Sequence, residues 1–105
     1  MTEGFHVISD SPESITLRLG PGGLDDQADE LFGFVISAVE AGQVSRITLD
    51  ASDAEIVTLE GVGVLLRLRA WARRAGAEFR VAPVHPRLAR KLRETGTAEL
   101  FGTTA

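Results

Sequence analysis

The chain has 105 residues, of which 44% are hydrophobic and 25% charged, and its formal net charge is −4. This balance predicts one globular domain over residues 1–105 and argues against a disordered or fibrous chain. The absence of cysteine excludes disulfides, thiolate metal sites and cysteine nucleophiles. The apolar runs are too short to cross a bilayer and the first residues lack the build of a signal peptide, so we expect a cytoplasmic protein without membrane insertion.

The first half of the chain is predicted to form two strands, a helix and a third strand. Strands over 5–8 and 15–19 flank turn residues at 10–13, which indicates a hairpin. From residue 26 to 41 the apolar residues repeat at helical spacing, with acids in the first turn, where the helix dipole favours negative charge. Residues 46–50 form a short third strand before a polar loop.

The second half is predicted to alternate between helix and strand. A helix that is apolar on two sides follows residues 56–60 and closes at Gly76, a strand covers 79–81, and a third helix covers 86–93. The order is therefore ββαβαβα, an α/β class. Helices of this length between strands imply right-handed crossovers, so we expect a mixed, mostly parallel four-stranded sheet whose first strand is antiparallel to the second.

No catalytic or metal-binding pattern stands out, and we expect no enzyme activity, no metal and no cofactor. His6 and His85 lack the spacing of metal ligands and are interpreted as surface or packing residues. A Gly-x-Ser-x-Gly nucleophile motif is missing. Gly61 and Gly63 before a helix leave open a nucleotide or small-ligand binding module, although the other residues of a phosphate loop are absent.

Charge divides sharply along the chain. Residues 1–66 carry two arginines and twelve acids, a net charge of −10, whereas residues 67–93 carry nine cations and one acid, a net charge of +8. The basic stretch contains no nucleic-acid motif, so we expect no direct contact with nucleic acid. We interpret it as the solvated faces of two helices or a secondary protein contact.

One segment of the chain resembles the signature of the STAS domain, the family of bacterial anti-sigma factor antagonists. Members typically read Leu-Asp-Leu-Ser, then about six residues, then Asp-Ser-Ser/Thr-Gly-Leu-Gly-x-Leu-Leu. Here residues 49–52 read Leu-Asp-Ala-Ser and residues 58–66 read Thr-Leu-Glu-Gly-Val-Gly-Val-Leu-Leu. Residues 22–25, 82–88 and 95–96 are similar to other family segments, so the resemblance covers about residues 5–101 as a single STAS domain, and the family shares the ββαβαβα order.

The resemblance implies a regulatory role, but this sequence departs from the family pattern at the phosphorylated serine. In the family, the first serine is phosphorylated by a kinase that is also the anti-sigma factor; the unphosphorylated antagonist binds this kinase and frees the sigma factor. Leu59 stands at that serine, Thr58 at the preceding aspartate and Glu60 at the next serine or threonine. Because leucine has no hydroxyl, we expect a binding regulator without the serine switch. Thr58 is either an alternative phosphosite or the helix N-cap.

The partner implied by the resemblance is an anti-sigma factor with a histidine-kinase-like ATPase fold. The expected contact residues lie before the first helix and around the start of the second: Gly22, Leu24, Asp25, Asp53, Glu55, Thr58, Glu60, Gly61, Val62 and Gly63. The alternative roles within the family are an accessory subunit of a lipid-transport ABC transporter or a stressosome-like scaffold.

An apolar stripe on the second helix has two interpretations. Val64, Leu68 and Trp71 share one side of this helix. We expect them to pack against the third helix through Leu88 and Leu92, because buried helices are apolar all round. The alternative is a patch for a homodimer or another partner.

Overall fold

The computed structural model describes residues 5–10, 13–20, 24–41, 44–54 and 58–101. Its elements are β1 (Phe5–Asp10), β2 (Ser14–Leu19), α1 (Leu24–Glu40), β3 (Arg46–Ala51), α2 (Leu59–Arg74), β4 (Glu78–Val84), α3 (Pro86–Glu94) and a 3-10 helix (Ala98–Phe101). The order of strands and α-helices is the predicted ββαβαβα, with the 3-10 helix added at the end. Within these described ranges, no helix is long and apolar enough to span a membrane.

The strands form one sheet in the order β1-β2-β3-β4. β1 runs antiparallel to β2, whereas β2, β3 and β4 are parallel, with Leu17 beside Leu49 and Leu49 beside Val81. The sheet is therefore mixed and mostly parallel, as predicted. The connections β2–α1–β3 and β3–α2–β4 both move one strand in the same direction across the sheet. Because such connections have the same handedness, α1 and α2 lie on the same face of the sheet, where the two helices contact each other.

Alternation along the strands separates a buried face from a polar face. The buried side chains of the strands include Ile15, Leu17, Leu19, Ile47, Leu49, Phe79 and Val81. On the opposite face, Thr16 and Thr48 are half-buried neighbours, and Arg46 and Glu78 form a salt bridge of 3.0 Å. Parallel sheets are usually covered on both sides. Here the residues that alternate with the core are polar, which fits a sheet whose helices pack on one side.

Helix α2 supplies much of the core. Its buried residues are Gly61, Val62, Val64, Leu65, Leu68 and Ala72. Val64 and Leu68 belong to the same buried cluster as Leu88 and Leu92, but the helix that α2 mainly contacts is α1 rather than the expected α3. The side chains of Val64 and Leu68 are thus unavailable for a dimer patch, and Trp71 is half-buried against the same cluster.

Several element ends differ from the sequence-based expectation. α1 begins at Leu24, two residues early, and β1 continues to Asp10, which the sequence indicated as a turn residue. β4 extends to Val84 even though it contains Pro83, because β4 is an edge strand and proline removes no ladder hydrogen bond there. Gly76 follows α2 with a positive φ of 83°, as predicted for the residue that closes the helix.

His85 has a more specific role than the expected surface or packing residue. It is the N-cap of α3, and its Nδ1 accepts a hydrogen bond from the Arg87 N–H at 3.1 Å. The ring nitrogen thereby satisfies one of the free N–H groups at the start of the helix.

The burial pattern of α2 predicts a large loss of stability on truncating one leucine of this helix and almost none on truncating another. Leu65 is fully buried, so Leu65→Ala should lower the free energy of unfolding by about 2–5 kcal/mol through lost burial and a residual cavity. Leu59→Ala should change it by less than about 0.5 kcal/mol, because this side chain is 68% exposed. Urea unfolding followed by circular dichroism checks both values. Equal losses in the two variants would contradict the described burial.

Candidate functional site

The candidate site lies where α2 begins, at the carboxyl edge of the sheet. β3 ends at Ala51 and α2 returns from Leu59 to the opposite edge, where β4 starts parallel to β3. The carboxyl edge of an open sheet of parallel strands is where this kind of fold commonly presents functional loops. The residues expected to bind a partner therefore concentrate at one end of the domain.

Thr58 is the N-cap of α2. Its backbone is extended, with φ −121° and ψ 166°, and its Oγ1 accepts a hydrogen bond from the Gly61 N–H at 3.0 Å. The Thr58 carbonyl accepts a second bond from the Val62 N–H at 3.1 Å. This geometry confirms the N-cap interpretation of Thr58, and it engages the hydroxyl oxygen within the fold.

Leu59 projects into solvent directly after the cap. Its relative exposure of 68% is the highest among the large hydrophobic residues whose side chains are described. Glu60 follows it, is also exposed, and has no salt-bridge partner within the described part of the chain. The first turn of α2 thus presents one apolar and one negative side chain to any approaching protein.

The next three residues of α2 differ in burial. Gly61 is buried and Val62 is 3% exposed, so neither residue presents a side chain to solvent. Gly63 is half-buried and faces outward. Because the Gly61 N–H already donates to Thr58, it is not free to hold a phosphate, which argues against the nucleotide-binding alternative.

Asp50 holds the chain as it leaves β3. Its side chain is largely buried, and Oδ1 accepts hydrogen bonds from the Ser52 N–H at 3.0 Å and the Ser52 Oγ–H at 2.7 Å. The sequence analysis did not assign Asp50 to the site. The signal was present in the two-residue spacing of Asp50 and Ser52, which is typical of an Asx turn.

Two carboxylates at this edge share one guanidinium group. Arg18 Nε lies 3.8 Å from Asp50 Oδ2 and 3.9 Å from Asp53 Oδ2. One positive charge therefore faces two negative charges, and the excess is exposed through Asp53, whose side chain is 56% accessible. This end of the domain is acidic, in keeping with the charge division of the sequence.

Four of the expected contact residues cannot be placed in this geometry. Gly22 and Glu55 lie outside the described residues, and Leu24 and Asp25 open α1 with side chains outside the described part. The structure places Asp53 just after β3, and Thr58, Glu60, Gly61, Val62 and Gly63 at the start of α2.

Two cavities lined by described residues lie away from the start of α2. One cavity of about 350 Å³ is lined by Arg69, Arg73 and Phe79, and another of about 420 Å³ by Arg93 and Gly96. The first borders the carboxyl end of α2, and the second borders the carboxyl end of α3. Among the described residues, there is no group of three or more His, Asp or Glu side chains able to hold a metal ion.

Comparison with known proteins places this geometry in context. The family model described as STAS domain matches residues 24–105. The chain is similar to the solved anti-sigma factor antagonist SpoIIAA in its unphosphorylated form, with a TM-score of 0.79 and 16% identity over 97% of this chain and 89% of that one. It is also similar to the Bacillus cell fate determinant SpoIIAA in the phosphorylated form, with a TM-score of 0.66 and 18% identity over 97% of this chain and 92% of that one. The search of curated proteins gave no match.

Removal of the N-cap tests the geometry of the helix start. Thr58→Ala should lower the free energy of unfolding by about 0.5–2 kcal/mol, because the Gly61 N–H loses its acceptor. Thr58→Ser keeps the hydroxyl and should stay within about 0.5 kcal/mol of the wild type. Urea unfolding of the two variants gives both values, and an equal loss in both would show that the hydroxyl does not act as a cap.

Proposed function

The chain belongs to the STAS domain family, and from this premise we propose that it is a cytoplasmic, non-enzymatic antagonist of an anti-sigma factor. It binds an anti-sigma factor of the histidine-kinase-like ATPase fold and so releases the sigma factor that this partner holds. The structural likeness to an anti-sigma factor antagonist supports the fold on which the proposal rests.

The exposed Leu59 carries the regulatory part of the proposal. It occupies the position that resembles the family's phosphorylated serine, and 68% of it is accessible to a partner. Phosphorylation disrupts a contact by adding nearly two negative charges and three acceptor oxygens. A leucine accepts no phosphoryl group, so the proposed antagonist stays in its binding form when the partner holds ATP.

Thr58 is a poor substitute for the missing serine. Its hydroxyl oxygen is engaged by the Gly61 N–H and the residue is half-buried. Phosphorylation of this oxygen would put a phosphoryl group on the hydroxyl that caps α2. We therefore propose that regulation comes from the amount of the protein or from another partner rather than from phosphorylation at Thr58.

A phosphorylation assay tests the loss of the switch. The wild type is incubated with ATP and the purified kinase-type anti-sigma factors encoded in the same genome, and its intact mass is measured. We expect no mass gain in the wild type and a gain of one phosphate in Leu59→Ser. Stoichiometric phosphate on Thr58 of the wild type would refute this part of the proposal.

Charge reversal tests the placement of the partner surface. Glu60→Lys and Asp25→Lys should each weaken binding to the anti-sigma factor by about tenfold or more, since a reversed charge contact at an interface costs about 1.4 kcal/mol or more. Glu40→Lys, at the exposed carboxyl end of α1, is the matched control and should leave the affinity unchanged. Unchanged affinity in all three variants would place the contact elsewhere.

Binding measurements with other partners separate the proposed role from the accessory-subunit role. If the wild type binds none of the kinase-type anti-sigma factors but binds the ATPase of a lipid-transport ABC transporter, the accessory-subunit role replaces the one proposed here.

A further inference from the structure

The 3-10 helix that follows α3 is anchored to two other elements of the domain. Phe101 is fully buried, and its ring packs edge-on against Phe79 of β4, with 6.1 Å between the ring centres. From α2, Arg69 Nε donates a hydrogen bond to the Leu100 carbonyl at 2.8 Å. These contacts join the 3-10 helix to both β4 and α2, so it forms a wall with a defined position.

The cavity of about 350 Å³ described above lies between these three elements. Its lining residues come from each of them: Arg69 and Arg73 from α2, Glu78 and Phe79 from β4, and Leu100 from the 3-10 helix. The volume is at the lower end of the range of about 300–1,000 Å³ that is typical of small-molecule sites. Arg69 and Arg73 are four residues apart, so they lie on one face of α2.

The positive charge of this cavity is not neutralised by the acid that lines it. The Glu78 carboxylate pairs with Arg46 Nε of the neighbouring strand at 3.0 Å. Arg69 gives its Nε to a neutral carbonyl, and within the described ranges neither Arg69 nor Arg73 forms a salt bridge. The cavity therefore carries excess positive charge, and its arginines keep N–H groups that can donate to an anion.

The helix dipole explains only part of this arrangement. The carboxyl end of a helix favours cations, and Arg73 and Arg74 both lie in the last turn of α2. Arg74 does not line the cavity. Arg69 lies one turn earlier, is half-buried and is held by the Leu100 carbonyl. The dipole alone does not require this second arginine at the same cavity, nor its attachment to the 3-10 helix.

We propose that this cavity is a binding site for a small organic anion. Arg69 and Arg73 hold a carboxylate or phosphate group, because the paired N–H donors of a guanidinium group match two oxygens of either anion. The hydrocarbon part of the ligand lies against Leu100, whose side chain is 41% exposed. The cavity borders the carboxyl end of α2, whereas the proposed partner surface is at its start, so the two sites are separate.

Two anions and one neutral compound test the site in the full chain. Benzoate and phenyl phosphate are titrated into the protein, together with benzamide, which has the shape of benzoate without its charge. Fragments of about ten non-hydrogen atoms should bind with a Kd of about 1 mM. We expect saturable shifts of the NMR amide signals of Gly76, Ala77 and Leu100 with at least one anion, and at least tenfold weaker binding of benzamide.

The two anions identify the group that the site prefers. Saturation by benzoate alone identifies a carboxylate site, and saturation by phenyl phosphate alone identifies a phosphate site. Similar affinities for both anions identify a site that accepts either group.

Substitution of one arginine distinguishes this cavity from general charge attraction. Arg73→Ala should weaken binding of the anion by about tenfold or more, because a charge-assisted hydrogen bond is lost. Arg74→Ala is the matched control: it removes the same charge from the same helical turn, outside the cavity lining, and should leave the affinity unchanged. Both side chains are exposed, so both variants should fold like the wild type, which circular dichroism checks.

Each outcome bears on the proposal. It is overturned if neither anion gives saturable shifts at about 10 mM, ten times the expected Kd. It is also overturned if benzamide binds as well as the anions, or if Arg73→Ala binds as well as the wild type. Equal weakening in Arg73→Ala and Arg74→Ala would show general charge attraction and would contradict a defined site. Tenfold weakening that is confined to Arg73→Ala supports the anion site.

Discussion

The hydrogen bond from the Gly61 N–H to Thr58 Oγ1 fixes the residue at which α2 begins. The spacing of apolar residues decides which side chains of a helix meet the core. Val62, Leu65 and Leu68 enter the core, whereas Leu59, the first residue after the cap, is exposed. The same bond engages the Thr58 hydroxyl, one residue before the position that resembles the family's phosphosite. One capping interaction therefore positions the first turn of α2, in which Leu59 and Glu60 are exposed.

Contacts of Asp50 hold the chain at the end of β3, before α2 begins. The Ser52 hydroxyl and N–H bind Asp50 and hold the chain as it leaves β3, and Arg18 on the neighbouring strand reaches the same carboxylate. Since α1 and α2 contact each other on one face of the sheet, α2 lies with its buried side against the strands and its outer side open. A functional site on a rigid helix supported in this way holds its geometry before a partner arrives.

Much of this organisation could be predicted from the sequence. Alternation in β2, helical spacing in α1 and Gly76 after α2 each reflect a local rule, and the structure follows them. The threonine cap was also predictable, because threonine before a helical run satisfies free N–H groups. The family resemblance added the position of the phosphosite, which no local rule contains.

The remaining features depend on contacts between distant residues or on exposure. The length of β4 depends on its place at the sheet edge, where Pro83 is tolerated. The sharing of Arg18 between Asp50 and Asp53 depends on the pairing of β2 with β3. The solvent exposure of Leu59 follows from the packing of a whole helix, which residue type alone does not reveal.

The lifetime of the complex with the kinase-type anti-sigma factor tests the central claim most directly. The dissociation rate is measured twice on the same purified complex, once with Mg²⁺ and ATP and once with Mg²⁺ and ADP. Because the proposed antagonist carries leucine at the position that resembles the phosphosite, ATP should not accelerate its dissociation beyond the effect that this nucleotide itself has on the partner. The released chain should carry no phosphate. Dissociation that is accelerated by ATP and yields a phosphorylated chain would contradict the account.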